Sequence, residues 1–147
     1  MASVPLRQST AQRTSVSIMS DFERLMTSIF TLTGRPAACN GPQRTVRIRI
    51  DNTFDLNLFP DPQGNLVMTG KIRLVGDTID HEKLHKLLQL NNYFPSIHQI
   101  SVGILQENQG VQVWSRHPMH KMQGKEALRM LKLMATAVSH VNTILTT

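Results

Sequence analysis

The chain is short of the residues that would build several familiar kinds of protein. It has one cysteine in 147 residues, Cys39, so no internal disulfide framework can form, and this usage fits a reducing cytosol. Cys39 reads as a loop or small buried residue, since no histidine can be placed beside it as a catalytic partner. No apolar run approaches the roughly 20 residues that span a bilayer, and the N-terminus lacks the apolar stretch of a secretory signal. No membrane partner is therefore expected. Aromatic residues make up 5%, and no aromatic-interleaved RNA-binding signature accompanies the basic segments. A Gly-rich phosphate loop, a G-x-S-x-G turn and a paired-carboxylate arrangement are missing too, so no catalytic residue, no enzyme class and no cofactor is indicated.

What is there is a basic, ordinary-sized domain. Hydrophobic residues reach 40%, and 147 residues suffice for one domain with a real core but not for two. The net charge is +6 with a pI near 10.1. Part of that charge sits in the first residues, where Arg7 and Arg13 have no acidic neighbour before Asp21. Without those two, fourteen basic residues face ten acidic ones, so the charge argues only weakly for a nucleic-acid partner.

Residues 1–19 are rich in Ser, Thr, Gln and Arg, too polar to offset the entropy of ordering, and are expected to form a flexible N-terminal arm. A single α+β domain is expected over 20–147. Ser20-Asp21-Phe22-Glu23 spells a capping box, and Phe22, Leu25, Met26, Ile29 and Phe30 follow at helical spacing until Gly34 and Pro36. Three period-two segments come next. Val46, Ile48 and Ile50 alternate with Arg47, Arg49 and Asp51; Phe54, Leu56 and Leu58 alternate with Asp55, Asn57 and Phe59. After the turn Asp61-Pro62-Gln63-Gly64-Asn65, the apolar set Leu66, Met68, Ile72 and Leu74 alternates with Val67, Thr69, Lys71 and Arg73. Such short turns predict an antiparallel meander with one apolar and one polar face.

A second helix is predicted from Asp80, with Ile79 and Leu84 as a hydrophobic staple and Leu84, Leu87, Leu88 and Asn91 as its stripe, ending before Pro95. Ile100, Val102 and Ile104, then Val111 and Val113 across the turn Glu107–Gly110, predict a two-stranded hairpin. A closing helix from about Gln123 carries Ala127, Leu131, Met134, Val138, Val141 and Leu145 as its buried stripe.

His81-Glu82-Lys83-Leu84-His85 matches H-E-x-x-H, in which two histidines one turn apart hold zinc and the glutamate activates water. The context is poor. The extended form of the motif asks for Gly and His where this chain has Leu88 and Asn91, and the match occupies the first turn of a short helix. Among the other histidines, only His117 and His120 are close in sequence, within a Pro-containing connection. A solvated helix start, without metal, is the expected reading.

The order of elements over residues 20–147 resembles the class I type III secretion chaperones, the CesT/Tir-chaperone-like family. The similarity is carried by SDFERLMTSIFTLTG for the first helix, IDNTFDLNLFPDPQGNLVMTGKIRL for the meander and TIDHEKLHKLLQLNNYF for the second helix. HQISVGILQENQGVQVWSRHP matches the final hairpin and KEALRMLKLMATAVSHVNTIL the last helix. The resemblance implies a cytoplasmic bacterial homodimer that binds the N-terminal region of a secreted effector in an extended form and hands it to the secretion ATPase. Family members are commonly acidic, and this chain departs from them in being basic.

On that reading Phe22, Met26, Phe30, Ile48, Phe54 and Leu58 are expected to line the effector groove. Leu87, Leu90, Tyr93, Phe94, Ile104 and Trp114 supply more apolar surface than a lone domain needs and are expected at the dimer interface. The alternatives are a nucleic-acid-associated regulator acting through Arg44, Arg47, Arg49, Lys71 and Arg73, and a zinc hydrolase acting through the HEKLH motif. The polar sheet face would otherwise be solvated, or would dock an acidic segment.

Overall fold

The computed structural model describes residues 3–34, 45–51, 53–73, 79–91, 100–105 and 110–146. Eight elements follow in the order α1 (Ser3–Thr33), β1 (Val46–Ile50), β2 (Phe54–Pro60), β3 (Asn65–Ile72), α2 (His81–Gln89), β4 (Ser101–Ile104), β5 (Val111–Pro118) and α3 (Gly124–Thr146). The α-β-β-β-α-β-β-α order matches the expected one.

The start of α1 does not. The helix is continuous from Ser3, so the boundary expected at residue 20 falls inside it, and the segment expected as a flexible arm is helical from Ser3 onward. Within an unbroken helix the amides of Ser20 to Glu23 find carbonyls one turn upstream, which leaves the capping box without orphan donors to satisfy. Pro5 lies in the first turn, where a missing amide costs little. Ile18 already packs against the core, so the globular unit begins before Ser20. The helix ends as expected: Thr33 Oγ1 donates back to the Ile29 carbonyl at 2.7 Å, and Gly34 takes the left-handed conformation at φ 70°.

All strand pairs are antiparallel, in the order β1-β2-β3-β5-β4. The meander and the hairpin thus form one sheet, joined by a register running from Asn65↔Pro118 to Ile72↔Val111. The β2–β3 turn is held by Asp61, whose Oδ1 accepts from the amides of Gln63 and Asn65 at 2.9 Å each. Its Oδ2 accepts from the Asn65 side chain at 3.0 Å. Partial burial opposes the Asp61 charge, but these donors from Asn65 and Gln63, with Arg116 nearby, outweigh it and hold the carboxyl below its ordinary range.

The register sorts side chains onto two faces. Val46, Ile48, Leu56, Leu58, Leu66, Met68, Ile72, Val111 and Val113 point to one side and are buried beneath α1 and α3. Close approach matters at Gly70, where a Cβ would stand 2.6 Å from Val138 of α3. Arg24 ties α1 to the segment before α3, donating through Nη1 to the Met122 carbonyl at 2.7 Å.

The helix α2 is smaller and peripheral. Asp80 caps it by accepting from the Lys83 amide at 2.8 Å, and only Leu87 is buried. Lys83 Nζ reaches the Leu145 carbonyl at 3.1 Å, fixing α2 against the end of α3. The opposite sheet face is covered by no helix or strand among the described residues. It presents Arg47, Arg49, Asp55, Asn57, Phe59, Val67, Thr69, Lys71, Gln112, Trp114 and Arg116.

Candidate protein-binding groove

Strand β1 forms one edge of the sheet. Its inward side chains Ile48 and Ile50 meet the last turns of α1 on one side and the first half of α3 on the other. The three elements do not close completely, and they leave an apolar depression of about 190 Å³. Ile29, Phe30, Leu128, Leu131 and Ala135 form its walls, with Lys132 at the lip. Ile50 and Ala135 also border a second hollow of about 510 Å³, lined by Asp51, Thr53, Phe54, Ser139 and His140. The two hollows adjoin across Ile50 and Ala135 along α3, the first apolar and the second rich in hydroxyl groups. A third hollow of about 170 Å³ lies across α3 between Leu90, Ile100, Val102, Leu133 and Val141, and shares Thr136 and His140 with the second.

The expected groove residues divide accordingly. Phe22, Met26 and Leu58 are fully buried core residues and cannot offer surface to a partner. Their helical and strand spacing marked an inward face, and the sheet and α3 cover that face inside one chain. Phe30 and Ile48 are buried too, but they form the walls of the apolar hollow, where an incoming side chain would touch them. Phe54 is half-buried and lines the polar hollow. Leu128 and Ala135 were missed. They sit at i, i+7 on α3, beside the core stripe and not on it, and that second flanking stripe was the available signal.

The four described residues of the expected interface do not share one surface. Leu87 is buried within its own chain, and Leu90 lines the third hollow. Ile104 is 48% exposed on the helix side at the β4 edge, whereas Trp114 is 38% exposed on the outer sheet face. Tyr93 and Phe94 lie outside the described residues. Leu88, counted in the inward stripe of α2, is instead 57% exposed.

His81 and His85 are both exposed, one turn apart at the start of α2, and His85 Nε2 lies 3.3 Å from the Gln89 amide nitrogen. No group of three or more His, Cys, Asp or Glu side chains converges among the described residues. Of the basic set, Arg47, Arg49, Lys71 and Arg73 are exposed, and Arg44 lies outside the described residues. Arg49 pairs with Asp55 at 3.5 Å. No described helix is long and apolar enough to cross a membrane.

With this geometry in place, solved structures supply the comparison. The type III secretion chaperone SycH of Yersinia pestis, solved with a stable fragment of YscM2, superposes with a TM-score of 0.64 at 16% identity, covering 82% of this chain and 96% of its own. The fold is that of a type III secretion chaperone. The ExsC–ExsE complex gives a TM-score of 0.70 at 12% identity over 86% of this chain and 95% of the matched one. The HopA1–SchA chaperone–effector complex gives 0.66 at 17% identity over 85% and 94%. No family model matches the sequence. No curated protein matches it either.

Proposed function

We propose that this protein is a type III secretion chaperone and not an enzyme. It binds the N-terminal region of a secreted effector in extended form, keeps it secretion-competent in the bacterial cytoplasm, and does so as a homodimer that presents its cargo to the secretion ATPase. The observation that carries this reading is the apolar hollow beside the edge strand β1, on a fold shared with proteins solved in chaperone–effector complexes. An extended segment can add to a sheet edge through backbone hydrogen bonds while one of its apolar side chains enters a neighbouring hollow. Burying an effector Leu or Ile there contributes roughly 1.5–3 kcal/mol.

The test is co-purification of the chain with N-terminal fragments of candidate secreted proteins from the same bacterium, followed by sedimentation. One fragment should bind a dimer of the 16.6 kDa chain, and Ala135→Glu at the hollow should abolish that binding while leaving the fold intact. A monomer at micromolar concentration would refute the homodimer. Full binding by a folded Ala135→Glu variant would move the groove elsewhere.

A further inference from the structure

The outer face of the sheet, on the side away from the groove, combines positive charge with one exposed ring. Arg47 on β1, Lys71 on β3 and Arg116 on β5 all project from it, and all three are exposed. Of the neighbouring carboxylates, Asp55 is already engaged by Arg49, and Asp61 in the β2–β3 turn has Arg116 nearby. Arg47 and Lys71 make no ion pair among the described residues. In their midst Trp114 stands opposite Thr69, which is itself buried to 7% exposure although it belongs to this open face. Lys71 is diagonal to Trp114 across the β3–β5 ladder, close enough for its charge to act over the same patch.

We infer that this face docks an acidic, extended polypeptide segment. The charge selects the sign of the partner: a second copy meeting this face through a two-fold axis would bring like charges together, whereas an acidic segment meets complementary ones. The spacing selects an extended conformation. Successive outward positions along one strand stand about 6.6–6.8 Å apart, and an extended segment with acidic residues at alternate positions presents carboxylates at the same interval. Trp114 then covers an apolar side chain of the same segment. Single-stranded nucleic acid fits less well, because it is held by successive stacking platforms, and of the two rings on this face among the described residues Phe59 is half-buried and only Trp114 is exposed.

Trp114 is the one tryptophan of the chain, so its emission reports occupancy of this face directly. The probe is a short synthetic peptide with glutamate at every second residue, beside the same peptide carrying glutamine and an oligouridylate. The glutamate peptide should shift Trp114 emission saturably, and the glutamine peptide should not. Binding should weaken at least about tenfold as salt rises from about 0.05 to about 0.3 M. The double substitution Arg47→Glu/Lys71→Glu should remove the response with the circular dichroism unchanged; if that variant misfolds, Arg47→Gln/Lys71→Gln takes its place. No saturable shift with the glutamate peptide, or a shift that survives these substitutions, overturns the inference. Preferential binding of the oligouridylate would make this a nucleic-acid surface, and emission that changes on dilution of the protein alone would mean that a second copy covers it.

Discussion

The side chain of Asn91 acts as one more strand residue against Val102. Its Nδ2 donates to the Val102 carbonyl at 2.9 Å, and its Oδ1 accepts from the Val102 amide at 2.7 Å. Both backbone groups at the middle of β4 are satisfied by one amide that follows α2. The two ends of the sheet are therefore unlike: β4 is clasped at its centre, while β1 lies beside the apolar hollow. Unpaired strand edges invite other chains, and this arrangement favours β1 as the edge where a segment can add.

Replacing Asn91 with Ala removes both bonds and leaves the β4 edge exposed. Stability should fall by about 1–2 kcal/mol, the net worth of two hydrogen bonds at a partly solvated site. The variant should also self-associate more readily. Urea unfolding and light scattering check the two effects, and an unchanged denaturation midpoint would show that water replaces the clasp at no cost.

Asp61 makes stability depend on acidity. Its carboxyl is held below the ordinary range in the folded chain, with burial overcome by the Asn65 and Gln63 donors and by Arg116. A depressed carboxyl contributes fully above its unfolded value of 3.8 and loses that contribution as the pH falls through the folded value. Asp61→Ala should therefore destabilise by about 1 kcal/mol at neutral pH and by progressively less in acid below about pH 4. Thermal melts of both proteins across that range should converge; parallel curves would assign the loss to turn geometry alone.

At Gly70 the sheet and α3 touch. A methyl group there meets Val138 Cγ2 at 2.6 Å and Leu56 Cδ2 at 3.0 Å, both on tightly packed side chains. Gly70→Ala should cost about 1–3 kcal/mol by overpacking. Val138→Ala in the same chain should recover part of that loss, a coupling that a double-mutant cycle measures.

His81 and His85 are predicted to be dispensable. Both are exposed, while the cap of α2 comes from Asp80 and its anchor from Leu87. Changing both histidines to Gln should leave the melting temperature and partner binding within the scatter of surface substitutions, about 0.5 kcal/mol. Stoichiometric zinc in the purified protein, lost with that double substitution, would restore the hydrolase reading.

The element order, the inward faces of α1, α3 and the strands, the stop at Gly34 and the turn at Asp61 could all be read along the chain. Each rests on contacts between residues a few positions apart, where period and turn chemistry act directly. The start of α1 was misread for the same local reason, since a capping box reports a possible helix start whether or not an upstream turn already satisfies its amides.

Tertiary structure decided the rest. The β3–β5 pairing, which joins meander to hairpin, links residues 39 to 53 positions apart, from Ile72↔Val111 to Asn65↔Pro118, through backbone groups that carry no side-chain signature. The groove depends on where α1 and α3 fail to meet over β1, so Phe22 and Phe30, two turns apart on one stripe, end respectively in the core and at the wall of a hollow. Periodicity tells which way a side chain points. What stands in front of it is set by the packing of distant elements, and that distinguishes a core residue from a binding one.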